Sequence, residues 1–385
     1  MPEFTTLQEM LLIAHDKLDS GVWDFINGGT ESETTLRRNR HGLDRLAFRQ
    51  RVLRDVSRID TSTTFLGHRL ALPVMMAPVG SLALIDPAAA VSVASACKTF
   101  GSLLIYSTFA DPPLDVVRAK VDHPLILGLY VRGDQDWLDQ AIDQAKAAGC
   151  VAITVVTEAP YYSRRERDLI NKFRSRGSKS GTYASTQKIV RAGGSGEAVA
   201  AAEARMVTAK LTWQTIERIR TRSSLPVILK GIATAEDAKL AVEHGASAVY
   251  ISNHGGRQLD CARGSIEVLP EIVEAVGGKA EVIMDGGIYR GTDVLKAIAL
   301  GARAVCLGRL QCWALAAGGE AGLVQMLEIL EEEIIIAMGL LGVTRLSELR
   351  RDHLFATDAL DPPHIFNAFP VVKERLARAA SGQCD

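Results

Sequence analysis

The chain has 385 residues, of which 47% are hydrophobic and 23% charged, so it carries enough apolar material for a large core and is not a disordered or low-complexity protein. Its 44 Lys and Arg residues against 45 Asp and Glu residues give a formal net charge of −1, without the cationic surplus that attracts nucleic acid or anionic membrane surfaces. No apolar stretch approaches the ~18 to 20 residues of a membrane span, so we expect neither a nucleic-acid nor a membrane partner.

Six cysteines are distributed along the chain without a C-x-x-C pair. In a chain of this length we interpret them as reduced thiols, most of them packing residues, which predicts a reducing compartment. Neither a secretory leader nor a peroxisomal address is recognised at the chain ends. We therefore expect a cytoplasmic protein, and no metal site is predicted.

Residues 1–70 precede the first predicted strand and are interpreted as an N-terminal helical segment. Thr6 and Glu9 have capping-box spacing and begin an amphipathic run that ends near Leu18, and a second short helix is predicted over Gly21–Ile26. We expect these helices to cover one end of the domain that follows.

Eight short apolar runs come next, each leading into a longer segment with helical spacing, a pattern typical of buried parallel strands alternating with helices. Their starts lie roughly 20 to 30 residues apart, the length of one βα unit, except between the fourth and fifth runs. The runs are Leu72–Pro78, Ser102–Ser107, Leu125–Val131, Val151–Val156, Pro226–Lys230, Ala248–Ser252, Glu281–Asp285 and Ala304–Gly308. They predict an α/β fold, a (β/α)8 TIM barrel, in a single domain over residues 1–385.

An insertion at residues 161–210 separates the fourth and fifth units. It contains three arginines near its start, a polar Gly/Ser-rich stretch at residues 172–195 and an alanine-rich helix candidate at residues 196–206. Long insertions are tolerated in βα loops and are often functional. We interpret this one as a mobile lid over the active end of the barrel.

Residues 318–385 are predicted to form C-terminal helices and a tail. The long amphipathic pattern at Leu323–Leu341 indicates a helix that packs outside the barrel. The three consecutive glutamates at 331–333 interrupt its apolar residues, and we interpret them as a solvated face.

Polar residues and glycines end or follow most of the predicted strands, at the end of the barrel where the active sites of this fold lie. They are Ser107, Tyr130, Glu158, Lys230, Ser252, Asp285, Gly286, Gly287, Gly308 and Arg309. The glycines at the last two strand ends allow backbone N–H groups to approach a phosphate, and a helix that begins near Gly291 adds its positive N-terminus. This pattern predicts a phosphorylated ligand, as in several barrel families.

The sequence I-S-N-H-G-G-R-Q-L-D at Ile251–Asp260 is more specific. It places an imidazole, His254, and a guanidinium, Arg257, just after a buried strand, where one can exchange a proton and the other can hold an anion. Lys230, at the end of another strand, would be costly to bury without an anionic partner. These residues predict a binding site for an anionic substrate.

With these residues the chain resembles the FMN-dependent L-2-hydroxy-acid oxidases and dehydrogenases, such as glycolate oxidase, lactate oxidase and mandelate dehydrogenase. The resemblance runs from about residue 6 to about residue 349, and the S-N-H-G-G-R-Q-L-D motif is its most specific part. It implies FMN as cofactor, a small-molecule 2-hydroxy acid as substrate, and molecular oxygen or another electron acceptor. It also implies a homo-oligomer, a tetramer.

The resemblance implies a role for each matching residue. His254 is the active-site base, Arg257 and Arg165 hold the substrate carboxylate, Lys230 lies at the pyrimidine edge of the flavin, and Tyr130 contacts the substrate. The implied FMN-binding positions are Pro78, Val79, Gly80, Ser107, Gly128, Thr154, Lys230, Ser252, Asp285, Gly286, Gly287, Arg290, Gly308 and Arg309.

The wall of the site departs from the family pattern. Phe25 stands where the family has a tyrosine that binds the substrate carboxylate, Phe109 replaces a tryptophan, and Gly128 replaces a glutamine that contacts the flavin ring. With Tyr161 and Tyr162, these changes predict an aromatic pocket that favours a bulky or aryl 2-hydroxy acid over glycolate.

The partner of the histidine departs as well. In the family an aspartate usually orients this histidine, but the matching residue here is Val156, so we expect Glu158 to supply the carboxylate. At a second position, an arginine that the family has on the phosphate side is replaced by Tyr289, which is followed by Arg290. The favoured function is FMN-dependent oxidation of an L-2-hydroxy acid to the 2-oxo acid.

Three alternatives stay open. One is oxidative decarboxylation or monooxygenation by a diverged member of the family, and another is a catalytically weak FMN-binding protein. An enzyme similar to inosine-monophosphate dehydrogenase would need a nucleophile such as Cys261, but the histidine-containing motif before this cysteine is foreign to that family.

Overall fold

The computed structural model describes residues 4–131, 133–173 and 210–380. The helices are α1 (Leu7–Lys17), α2 (Ser20–Asn27), α3 (Thr34–Asp44), α4 (Ala90–Phe100), α5 (Leu114–Lys120), α6 (Gln135–Ala147), α7 (Glu166–Ile170), α8 (Trp213–Ser223), α9 (Ala235–Glu243), α10 (Ser265–Val276), α11 (Gly291–Ala299), α12 (Arg309–Leu341) and α13 (Pro370–Ala380). The strands are β1 (Leu46–Phe48), β2 (Thr63–Phe65), β3 (His68–Leu70), β4 (Val74–Met76), β5 (Leu104–Ser107), β6 (Leu125–Leu129), β7 (Ala152–Val156), β8 (Val227–Ile232), β9 (Ala248–Ile251), β10 (Glu281–Met284), β11 (Ala304–Leu307) and β12 (Leu354–Ala356).

Strands β4 to β11 are parallel and form a closed eight-stranded barrel in chain order, with β11 pairing back to β4. The predicted (β/α)8 fold is therefore confirmed, and each predicted run overlaps one barrel strand. The predicted lid falls mainly on residues 174–209, which lie outside the described residues.

The barrel core consists of two layers because successive strand residues point to opposite faces. Within β4, Met75 lies in the barrel interior, while Val74 and Met76 join the larger cluster between the barrel and its helices. The β2–β3 hairpin adds Phe65 and Leu70 to the interior cluster, and both are fully buried.

The N-terminal segment contains the predicted capping box, in which the Thr6 hydroxyl accepts a hydrogen bond from Glu9 N at 3.1 Å. Helix α3 was not predicted. It crosses the ends of β9 and β10, where Asn39 exchanges amide hydrogen bonds with Asn253, and Arg40 is buried in a two-bond contact with Asp293 at 2.6 and 2.8 Å.

Helix α12 begins at Arg309, earlier than the predicted Leu323, and has non-helical backbone angles at Gly318 and Gly319. The prediction that the glutamates at 331–333 form only a solvated face is wrong for Glu333. Its carboxylate accepts a hydrogen bond from Gly291 N at 2.6 Å, at the start of α11, and pairs with Arg290 at 2.5 Å. A carboxylate is favoured there because α11 presents unpaired N–H groups at its N-terminus.

The C-terminal residues pack back onto the domain. Strand β12 pairs with β1, and the loop before α13 places Phe369 5.8 Å from Trp313 of α12, ring centre to ring centre. Within the described ranges, no helix is long and apolar enough to cross a membrane.

Candidate active site

Glu158, Lys230 and His254 meet at the carboxyl end of the barrel, and we call this group the reacting side. One oxygen of Glu158 lies 2.9 Å from Nδ1 of His254 and is also hydrogen-bonded to the Lys230 ammonium. The Lys230 side chain is 3% exposed, that of Glu158 8% and that of His254 19%. The imidazole is thus held through Nδ1, and Nε2 makes no hydrogen bond to the described residues.

The charges of the reacting side are coupled. Burial alone would raise the pKa of Glu158, but the Lys230 charge and the His254 hydrogen bond lower it to about 2. Burial and the Lys230 charge lower the pKa of His254 to about 4, although the Glu158 hydrogen bond opposes the shift. At neutral pH the side chains are therefore a carboxylate, an ammonium and a neutral imidazole, which is the form that accepts a proton.

Glu158 reaches this position because the neighbouring strand leaves room for it. It follows β7 by two residues, and Gly231 in β8 has a φ of +110°. A Cβ atom at Gly231 would lie 2.6 Å from the Cβ of Glu158, so a side chain there would displace the carboxylate. Val156, where the family has its aspartate, is fully buried at the end of β7.

A buried polar chain extends from Lys230 across the barrel. Its ammonium donates to the Ser252 hydroxyl at 2.8 Å, and Ser252 donates to Asp285 at the same distance. Asp285 also accepts a hydrogen bond from Tyr250 at 2.9 Å and lies 3.8 Å from the Lys230 nitrogen. The lysine is fixed between two carboxylates, which compensates the cost of burying its charge.

Arg165 and Arg257 lie close to each other, and the charge of Arg165 also acts on His254. Ser163 links them, since its hydroxyl donates to the Arg257 carbonyl and accepts from Arg165 Nε at 3.3 Å. Burial lowers the pKa of Arg257, and the positive charges of Arg165 and Arg309 lower it further. Arg257 Nη1 donates to the carbonyls of Phe25 and Gly28, so part of this guanidinium already holds the end of α2.

Aromatic rings cover both guanidinium groups. Arg257 lies 5.0 Å from the centre of the Phe25 ring, and Arg165 lies 4.5 Å from that of Tyr162. Phe109 packs against Tyr130 with ring centres 4.9 Å apart, and Tyr130 packs edge-on against His254 at 6.1 Å. The predicted aromatic residues Phe25, Phe109 and Tyr162 thus each contact another residue predicted for the site. Tyr161 is 44% exposed, at the start of the insertion.

Tyr289, Arg290, Gly308 and Arg309 form what we call the phosphate side. Tyr289 is buried with its ring centre 5.1 Å from that of Trp313. Arg309 donates to three backbone carbonyls, those of Ile26, Gly255 and Gly28. Its guanidinium and that of Arg290, which pairs with Glu333, are largely satisfied by protein groups.

Gly286 and Gly287 were predicted to let the backbone approach a phosphate, but the structure shows another reason why these positions are glycine. A Cβ at Gly287 would lie 2.7 Å from the Asn39 carbonyl, and one at Gly286 would lie 2.8 Å from the Ser265 hydroxyl. Close packing of α3 and α10 thus requires both glycines, whatever ligand binds nearby. At Gly308, by contrast, a Cβ would meet nothing within 4 Å, so the backbone is open to an anion there.

The remaining predicted FMN positions lie on the first strands. Thr154 is fully buried in β7, and its hydroxyl has no hydrogen-bond partner in the described structure, as expected of a group that binds a ligand. Ser107 ends β5 and accepts a hydrogen bond from Phe109 N at 3.1 Å. With Lys230 and the open backbone at Gly308, these residues fit a flavin that carries a phosphate.

The residues 78–80 and Gly128 pack tightly at the same end. A Cβ at Gly80 would lie 2.7 Å from that of Phe109, and a Cβ at Gly128 would lie 2.7 Å from that of Pro78. The Tyr130 hydroxyl donates to the Pro78 carbonyl at 3.4 Å. No side chain fits at Gly128 in this arrangement, so the family's glutamine contact is excluded by packing here.

Sequence reasoning missed several residues of the site. Asp168 of α7 is 9% exposed, burial raises its pKa, and the charges of Arg257 and Arg165 oppose this shift. It follows Arg165 by one helical turn, a spacing that was available from the sequence. Ser163 and Gly231 carried no comparable signal in the sequence. The partner of Ser163 is Arg257, 94 residues away, and that of Gly231 is Glu158, 73 residues away.

Comparison with known proteins gives a consistent picture. A profile of the FMN-dependent dehydrogenase family matches residues 14–356. The chain is 38% identical to glycolate oxidase 3 of Arabidopsis thaliana over 369 residues, 95% of this chain and 99% of that protein. It is 36% identical to the glycolate oxidase of Spinacia oleracea over 357 residues, 92% of this chain and 96% of that protein. A crystal structure of mandelate oxidase matches with a TM-score of 0.81 at 37% identity, covering 93% of this chain and all of that one.

Proposed function

Because the chain belongs to the FMN-dependent dehydrogenase family and is an FMN-dependent enzyme of 2-hydroxy-acid oxidation, we propose that it oxidises an L-2-hydroxy acid to the 2-oxo acid with His254 as the base. The observation that carries this proposal is the His254 imidazole, held at Nδ1 by Glu158 and close to the Arg165 charge, which in turn lies close to Arg257. A base next to a carboxylate-binding pair is the arrangement that a 2-hydroxy acid requires.

In the proposed mechanism Arg165 and Arg257 bind the substrate carboxylate and orient the carbinol carbon. Bound FMN would supply the acceptor for the two electrons and for the second proton. His254 accepts one proton at Nε2, and the Glu158 carboxylate stabilises the imidazolium that results. Lys230 keeps its positive charge at the reacting side, where it stabilises negative charge.

We also propose that the substrate carries a bulky or aryl group. Phe25 and Tyr162 lie against the two arginines, and Phe109 lies against Tyr130, so aromatic surface flanks the carboxylate site. Burying an aryl group against these rings contributes roughly 25 cal/mol per Å² of apolar surface. Measuring kcat/KM for glycolate, lactate and mandelate tests this proposal, and glycolate used as well as mandelate would refute it.

An anaerobic titration with a panel of 2-hydroxy acids, followed by flavin absorbance, tests the main proposal. We expect bleaching and one equivalent of 2-oxo acid per flavin. After oxygen is admitted, a decarboxylated acid would favour the decarboxylating or monooxygenating alternative. Yellow protein that no acid bleaches would favour a catalytically weak FMN-binding protein.

We further propose that the electron acceptor is molecular oxygen or another acceptor, that the protein forms a homo-oligomer such as a tetramer, and that it is located in the cytoplasm. Support for self-association comes from Leu53 and Leu340, which are large apolar residues exposed on neighbouring segments. These segments touch where Gly342, after α12, packs against the Arg51 carbonyl. Light scattering of the purified protein measures the oligomeric state.

A further inference from the structure

A second charged region lies at the opposite end of the barrel, where the strands begin. It is a cleft of about 1010 Å³ between the β2–β3 hairpin, the starts of β10 and β11, and the turns after α12. Six cationic residues line it: Arg69, Lys279, Arg303, Arg345, Arg350 and Arg351. Only two acidic residues, Asp60 and Glu281, line it as well, so its formal charge is 6 − 2 = +4, whereas the whole chain carries −1.

The two carboxylates of the cleft are already engaged. Glu281 accepts a hydrogen bond from Leu66 N at 2.8 Å and pairs with Arg303 at 3.4 Å. Asp60 accepts a hydrogen bond from Ser62 N at 2.9 Å. Within the described part of the chain, Arg303 alone among the six cations forms an ion pair. Arg350 donates to the backbone carbonyls of Ser347 and Leu349, and the charges of Arg69 and Arg345 act on Asp60 without a direct ion pair.

Concentrated unpaired cations in a concave surface create a stronger local field than the same charges spread over a convex one. Arginine side chains recognise phosphate and carboxylate groups through paired N–H donors. The cleft volume matches sites for small molecules, and the near-zero net charge of the chain does not favour a long nucleic acid. We propose that this cleft binds a small polyanion, a molecule with at least two phosphate or carboxylate groups.

This site is distinct from the active site. Strand β10 begins in the cleft at Glu281 and leads to Asp285 in the polar chain around Lys230, a span of about 13 Å at ~3.3 Å per residue. The active-site arginines contact groups at the other end of the strands. Binding in the cleft is therefore expected to be independent of the carboxylate site.

Calorimetric titration of the FMN-loaded enzyme with tripolyphosphate tests the proposal, and citrate provides the carboxylate arm. We expect saturable binding that weakens as salt is added. Arg69→Ala and Arg345→Ala should each reduce the affinity at least about fivefold, because each removes a charge-assisted donor. Both side chains are exposed, so the variants are expected to fold. The stronger of the two anions identifies the preferred chemistry.

Two controls locate the binding. Lys239→Ala removes an exposed lysine on α9, outside the cleft, and should leave the affinity unchanged. Arg165→Ala removes a cation from the active site and should also leave it unchanged. The proposal is overturned if neither anion binds, if the cleft variants bind as tightly as the parent, or if Arg165→Ala abolishes binding.

Discussion

The reacting side and the phosphate side lie at the same end of one barrel but treat their charged groups differently. On the reacting side, Glu158, Lys230 and His254 contact one another and leave the imidazole Nε2 for a ligand. On the phosphate side, Arg290 pairs with Glu333 and Arg309 donates to backbone carbonyls. The charged groups of the first side leave an atom available for a ligand, whereas those of the second are largely satisfied by protein groups. We therefore expect substitutions on the reacting side to change rates, and those on the phosphate side to change FMN affinity modestly.

The largest expected effect is that of His254→Ala. Loss of a positioned base should slow flavin reduction by at least about 100-fold while FMN stays bound. Rapid mixing with substrate under anaerobic conditions measures the rate. His244→Ala is the matched control, because His244 lies 2.8 Å from a carboxylate, Glu217, far from the barrel mouth. If both variants reduce flavin at the parental rate, the base lies elsewhere.

Glu158→Gln should have a smaller effect, about 10- to 100-fold on kcat/KM. The Glu158 hydrogen bond opposes the lowering of the His254 pKa, so its loss makes the imidazole a weaker base. Restoring a carboxylate at the family position in Val156→Asp/Glu158→Gln should recover part of the rate. A double variant no faster than the single one, with correct folding, would mean that Glu158 acts mainly through Lys230.

The pH dependence of kcat/KM for the parent enzyme tests the coupling of His254 to its charged neighbours. Burial and the Lys230 charge lower the pKa of His254 to about 4, and only the neutral imidazole accepts a proton. Values of kcat/KM should therefore be constant near neutral pH and fall tenfold per pH unit below about pH 4. A fall that begins near pH 6.5, the ordinary histidine value, would indicate an imidazole uncoupled from Lys230.

The smallest effect is expected on the phosphate side. Glu333→Gln removes a negative charge at the N-terminus of α11 and frees Arg290, which should tighten FMN binding about two- to fivefold. Fluorescence titration of the apoprotein with FMN measures this. Glu332→Gln, an exposed neighbour on the same helix, serves as the control. Weaker FMN binding in Glu333→Gln would show that the ion pair builds the site.

The barrel could be predicted because its strands are short continuous apolar runs whose signal is local. Helix α3 could not, because its sequence is mainly polar and its buried residues Asn39 and Arg40 find partners more than 200 positions away. Likewise the sequence suggested Glu158 as a partner for His254, but its simultaneous contact with Lys230 depends on the pairing of β7 with β8. The contacts of Glu333 could not be predicted either, because an acidic triplet on a helix has the same sequence pattern whether it faces water or another helix.

The tight packing at Gly128 also bears on which substitutions this chain can accept. A Cβ there would lie 2.7 Å from that of Pro78 and 3.1 Å from the Tyr106 carbonyl, so a single substitution to glutamine would require its neighbours to shift. Glycine at this position is thus locked in by its surroundings: glutamine becomes acceptable only after neighbouring residues change. A library that restores glutamine should therefore yield folded variants mainly in combination with changes around residue 78, and rarely alone.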